Sequence, residues 1–130
     1  MSDKTQVTSD KLVGYKKLIA WQRAHQLARK VYDLTLTFPR NEQFGITSQL
    51  QRAVLSVPTN IVEGHARNSK NEFHRFLSIA LGSLAETEYL LEFAYERKLI
   101  KEKEFEDVCL LRAETGHIIW KLYLSQRSNK

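Results

Sequence analysis

Residues 69–98 read SKNEFHRFLSIALGSLAETEYLLEFAYERK. Phe73, Phe76, Leu77, Ala80, Leu84, Thr87, Leu91 and Ala94 recur at steps of three and four, which places them on one face of a helix and on no common face of a strand. Ser69 and Glu72 stand in front of that run as a capping box, in which the serine and glutamate side chains each satisfy a free backbone N–H. The pattern predicts a helix of nearly 30 residues, more than 40 Å long at about 1.5 Å per residue. Gly82 in its middle costs up to about 1 kcal/mol of helix propensity, which predicts a close helix contact there.

The same period extends outward in both directions. Over residues 17–38, Leu18, Trp21, Ala24, Ala28, Val31, Thr35 and Phe38 form a stripe widened by Leu27 and Tyr32. Pro39 ends it, because the residue before a proline is driven out of helical geometry. Over residues 44–62 the stripe is Ile46, Leu50, Ala53, Val54, Val57 and Ile61. Pro58 predicts a kink in this segment, and Gly64 reads as its C-terminal cap. Over residues 103–125 the stripe is Phe105, Val108, Leu111, Thr115, Ile119 and Leu122, with no capping side chain before Glu102. Four such helices on loops of about 4–7 residues predict an all-α, antiparallel up-down-up-down four-helix bundle. It spans residues 16–126, with a flexible polar N-terminal tail over 1–15 and a short C-terminal tail over 127–130.

Composition narrows the chemistry. The 130 residues are one domain's worth, and 42% hydrophobic with 27% charged is an ordinary globular balance. Five Gly and two Pro are too few to punctuate an all-β fold. A single cysteine, Cys109, excludes an internal disulfide and any multi-cysteine zinc site. No apolar run approaches the ~20 residues needed to span a bilayer, and the polar start MSDKTQVTSDK has no signal-peptide core. A cytoplasmic protein that makes no membrane contact is expected.

Motifs for catalysis are missing. Glu114-x-x-His117 has the spacing of a di-metal bundle site, but such a site needs the motif on two helices, and the chain carries it once. His25, His65 and His74 have no carboxylate three or four residues away. Cys109 sits at the edge of an apolar stripe, where a free cysteine acts as a small hydrophobe. No glycine-rich phosphate loop or nucleophile elbow occurs. No enzyme, cofactor or metal is expected.

The charge is informative. Residues 16–40 hold Lys16, Lys17, Arg23, Arg29, Lys30 and Arg40 against Asp33 alone, which accounts for the whole net charge of +5. Lys16, Arg23 and Lys30 repeat every seven residues, predicting one basic ridge on the solvent side of the first helix, with Lys17 and Arg29 beside it. No aromatic–basic interleaving is evident on that helix, so recognition by charge and shape is expected, not base readout. A solubilising face has the same composition. On the second segment Arg52, Ser56, Asn60 and Glu63 form a polar stripe, and Ser83 and Glu86 of the third segment are its expected partners. If Arg52 pairs with Glu63 or Glu86 in a buried network or a subunit interface, its loss would cost a few kcal/mol.

Five strings carry a resemblance. They are Ala20-Trp21-Gln22, Phe38-Pro39-x-x-Glu42-x-Phe44-Gly45, Gln49-Leu50-x-Arg52-Ala53, Ser56-Val57-Pro58-x-Asn60-Ile61-x-Glu63-Gly64, and Glu72-Phe73-x-x-Phe76-Leu77-x-Ile79-Ala80-x-Gly82-Ser83-Leu84-Ala85-Glu86. In order and spacing they resemble the 23S rRNA intervening-sequence proteins, also called the ribosomal S23-like family. The resemblance implies a small four-helix bundle of a type encoded within bacterial 23S rRNA genes or free-standing, with no enzymatic activity and with assembly as a ring-like homopentamer. A related bundle is the accessory protein of diversity-generating retroelements, which binds a reverse transcriptase and nucleic acid. Many members carry two basic residues where this chain has Gln51-Arg52, and that difference leaves the first helix as the main basic surface.

The expected function is therefore a non-enzymatic homo-oligomer that holds RNA or DNA by its phosphates. The alternatives are a protein–protein adaptor, such as one serving a reverse transcriptase, or a self-assembling scaffold alone. Oligomerisation is expected because Trp21, Phe38, Phe44, Phe73, Phe76, Tyr89, Phe93, Tyr95, Trp120 and Tyr123 are more aromatic surface than one bundle seam buries.

Overall fold

A computed structural model of the chain describes residues 12–127. Its helices are α1 (Ile19–Thr35), α2 (Ser48–Ala66), α3 (Lys70–Glu96) and α4 (Glu102–Ser125), and no strand occurs among the described residues. Each helix packs on its neighbour in sequence, and α1 also packs on α4, so the four close into a bundle. The pairs Gly64–Phe76 and Ser56–Ser83 set α2 antiparallel to α3. Tyr95–Phe105, Glu88–Arg112 and His74–Tyr123 do the same for α3 and α4.

The predicted stripes make the core. Leu27, Val31, Leu50, Val54, Val57, Ile61, Leu77, Leu91, Val108 and Ile119 are fully buried. The threonines in those stripes are buried as well, and each hydroxyl is satisfied locally. Thr87 donates to the Ser83 carbonyl at 2.8 Å and Thr115 to that of Leu111 at 2.7 Å. Thr35 donates to the Tyr32 carbonyl at 2.8 Å and accepts from the Gln51 amide at 2.9 Å, a bond that ties α1 to α2.

The boundaries differ from expectation at definite places. The first helix begins at Ile19, because Gly14–Lys17 form a separate 3-10 turn with Gly14 at φ 62°. Residues 12–15, read as tail, thus include a structured turn, whose Tyr15 packs edge-on against Trp21 at 5.0 Å. Residues 1–11 and 128–130 lie outside the described residues. The first helix ends at Thr35, three residues short, and Phe38 is buried from the connection. A π-helical turn at Gln43–Thr47, with Gly45 at φ −116°, ψ −113°, precedes α2.

Neither of two glycines takes the role expected of it. Gly64 lies inside α2, where a Cβ would stand 2.6 Å from the Phe76 Cβ and 3.0 Å from the Phe73 ring. The left-handed cap falls instead on Asn68, at φ 55°, a residue type that tolerates this conformation. Gly82, expected at a close contact, is exposed, and a Cβ placed there would meet nothing within 4 Å. At the other end of α3, Lys98 takes φ 65°, while Lys98 N–H bonds the Tyr95 carbonyl and Leu99 N–H the Ala94 carbonyl, both at 2.9 Å. That pair of bonds is a Schellman stop, and it turns the chain towards α4.

Half of the capping box forms. Ser69 accepts from Glu72 N–H at 3.2 Å, but the Glu72 carboxylate accepts from Arg75 at 3.1 Å. Pro58 is buried within a helix that continues on both sides of it.

Gly64→Ala is expected to lower the melting temperature. Phe76 Cβ cannot retreat without moving α3, and overpacking of this kind costs about 1–3 kcal/mol, against up to about 1 kcal/mol gained in helix propensity. Gly82→Ala meets open space and keeps only the propensity gain. Thermal melts of the two variants should therefore move in opposite directions.

Candidate nucleic-acid interface

The basic residues of the first segment do not form one ridge. Lys16 and Lys17 sit on the 3-10 turn, out of helical register with α1, which breaks the seven-residue repeat. Arg23 is tied across the bundle, its Nε 3.1 Å from a Glu114 carboxylate oxygen on α4. Its charge is thereby neutralised locally. Lys30 is half-buried and lines a shallow groove with Gln26, Arg29, Asp33 and Leu111.

The free cations gather elsewhere. Lys16, Lys17 and Arg29 are exposed, and with Lys30 they have no ion-pair partner among the described residues. Of these, Arg29 and Lys16 bear on His25. Burial first, then the charges of Arg29 and Lys16, push its imidazole below its ordinary value. Both cations therefore act on one point of the α1 surface.

That point is aromatic, contrary to the expectation of no interleaving. The His25 ring stacks on the Trp21 indole, centroids 4.8 Å apart and planes within 12°, and Tyr15 packs edge-on against the same indole. One turn beyond Arg29, Tyr32 is 38% exposed. Trp21, His25, Arg29 and Tyr32 share a helix face at spacings of four, four and three. The pattern was readable in the sequence, but Tyr15 and Lys16 join it only because the 3-10 turn folds back.

The polar stripe on α2 is also rearranged. Ser56 and Ser83 share a hydrogen bond at 2.8 Å across α2 and α3, and the Asn60 amide donates to the Ser56 hydroxyl at 2.9 Å and to its carbonyl at 2.8 Å. Arg52 and Glu86 line one groove with Gln49, Ala53, Ser56 and Ser83, yet both are exposed and neither forms an ion pair among the described residues. Glu63 turns to Arg67 at 3.9 Å. The expected Arg52 pairing inside the subunit is thus replaced by a neutral Ser–Ser–Asn network, because Glu63 stands three turns along α2 from Arg52 and reaches the helix end instead.

Arg67 and Arg75 both lie over the Phe76 ring, at 5.0 and 4.5 Å, and share Glu72. The hydrogen bond from Arg75, ahead of the charges of Arg75 and Arg67, holds the Glu72 carboxyl below its ordinary range. Cys109 is half-buried, and desolvation pushes its thiol up, away from a reactive thiolate at neutral pH. Among the described residues no three His, Cys, Asp or Glu side chains converge as a metal site would need. No helix among them is long and apolar enough to cross a membrane.

Four amphipathic helices around a single apolar core define the class: an all-α protein of four-helix-bundle type. Residues 16–121 match the family described as 23S rRNA-intervening sequence protein, and the chain belongs to that family. A crystal structure of a protein of unknown function, from the S23 ribosomal protein family of Bacteroides thetaiotaomicron, shares the fold with a TM-score of 0.72 at 22% identity. The match covers 81% of this chain and 98% of that one. No curated protein matches the chain.

Arg52→Ala is expected to change the stability of the chain by less than about 1 kcal/mol, the range of an exposed charge, and Arg52→Ala with Glu86→Ala should be additive. Chemical denaturation of the single and double variants measures both.

Proposed function

We propose that this protein is a non-enzymatic, self-assembling bundle that holds nucleic acid by its phosphates. The observation that carries the reading is a set of cations with no ion-pair partner among the described residues: the exposed Lys16 and Lys17 from the 3-10 turn, with the exposed Arg29 and the half-buried Lys30 from α1. Phosphate contacts release condensed counterions, so binding by such a group is strong at low salt and falls steeply as salt rises. Family membership supports the reading, since the family takes its name from a sequence inside an rRNA gene.

Reversing Lys16, Arg29 and Lys30 to glutamate together is expected to abolish binding of a structured RNA while leaving the circular-dichroism signal unchanged. Arg23 is left in place, because a carboxylate there would face Glu114. Single reversals should make the plot of log affinity against log salt shallower by about 0.7–0.9 for each phosphate that is no longer neutralised. A parent protein that binds no nucleic acid at about 50 mM salt would overturn the reading.

Self-assembly rests on a second apolar stripe. On the outer face of α3, Ile79, Gly82, Glu86, Tyr89 and Phe93 alternate at three and four residues, the spacing of a coiled-coil seam. Ile79 is 41%, Tyr89 62% and Phe93 42% exposed in the single chain. Phe44, 91% exposed, and Trp120, 47% exposed, add apolar surface elsewhere, while Phe38, Phe73 and Phe76 are absorbed by the core. Tyr89→Glu is expected to reduce the particle mass measured by light scattering, with a five-membered ring as the parent state. A monomeric parent at micromolar concentration would remove the assembly proposal and leave phosphate binding standing.

A further inference from the structure

The strip on α1 offers flat rings as well as charge. Tyr15, Trp21 and His25 are in ring-to-ring contact in that order, and the exposed His25 ends the series, so one of its faces is taken by the indole and the other is open. From there the surface runs into a groove lined by His25, Ala28, Arg29, Tyr32, Asp33 and Leu55, the last contributed by α2 and 47% exposed. Arg29 and Lys16 flank the ring series, and Asp33 is the one carboxylate lining the groove. Aromatic platforms with cations beside them suit a polyanion whose own units carry π-faces. In a duplex those faces are stacked internally and closed to the protein. In an unpaired strand they are open.

We propose that His25, backed by Trp21, and Tyr32 stack the bases of single-stranded nucleic acid, with Lys16 and Arg29 on the phosphates between them. The proposal rests on the phosphate-binding reading and narrows it to unpaired strands. The exposed His25 ring and Tyr32 line the same groove, with Leu55 of α2 in its wall.

The test uses the full chain carrying Trp120→Phe, which leaves Trp21 as its one tryptophan. Three probes are titrated at equal phosphate concentration: a twelve-residue oligothymidylate, a duplex of the same length, and inorganic polyphosphate, which has the charge without bases. The oligothymidylate should bind more tightly than the other two and quench Trp21 emission, while polyphosphate binds without quenching. His25→Ala, at an exposed position, and Tyr32→Leu, which keeps apolar bulk, should each weaken oligothymidylate binding about tenfold and leave polyphosphate affinity unchanged. Equal affinity for all three probes, or an unchanged oligothymidylate affinity in both variants, would overturn base stacking while the phosphate-binding reading survives. Binding to none of the probes at about 50 mM salt would overturn both.

Discussion

The approach of α2 to α3 at Gly64 is the constraint on which the rest of the bundle depends. With a hydrogen where other residues have a Cβ, the α2 backbone comes close enough for Phe73 and Phe76 to lie directly against it. That contact is near the reversal between the two helices, so it fixes both their separation and their register. Further along the pair, the same register brings Ser56 opposite Ser83 at 2.8 Å. A slip of one residue would part the serines and drive Phe76 into a backbone that has no room for it. Arg67 and Arg75 lie over the Phe76 ring at the same junction.

Once α2 and α3 are set, α1 and α4 are placed by what they must cover. Leu27, Val31, Val108 and Ile119 complete the core, and three polar ties fix their sliding: Thr35 to Gln51, Arg23 to Glu114 and Glu88 to Arg112. Gln51 stands where the family resemblance implies a basic residue, and its amide is occupied with α1. The second of these ties has a functional side. It removes Arg23 from the basic surface and leaves the free cations in two places, Lys16 and Lys17 on the 3-10 turn and Arg29 and Lys30 in the second half of α1.

The outer face of α3 is of a different kind. One side of the helix faces the core, and the other carries apolar residues that the single chain leaves exposed. Ile79, Tyr89 and Phe93 remain in water on a seam interrupted by Glu86, beside the exposed Arg52 of α2. Exposed apolar residues spaced as a seam are the surface on which the proposed self-assembly rests.

The sequence by itself determined the class of fold, the four helices and most of the core. Periodicity of three and four is a one-dimensional record of a face, and faces such as those of α3 and α4 survive folding unchanged. It could not separate the two uses of a glycine. Gly64 and Gly82 look alike on a helix, and only the positions of Phe73 and Phe76 decide that the first is a contact and the second a gap. Nor could it show which charges cancel. Arg23 and Lys16 belong to one repeat in sequence, but Arg23 meets Glu114 from 91 residues away, while Lys16 leaves the helix at a turn. Pairing of charges and closeness of backbones depend on distances between segments, and those exist only once the helices have packed.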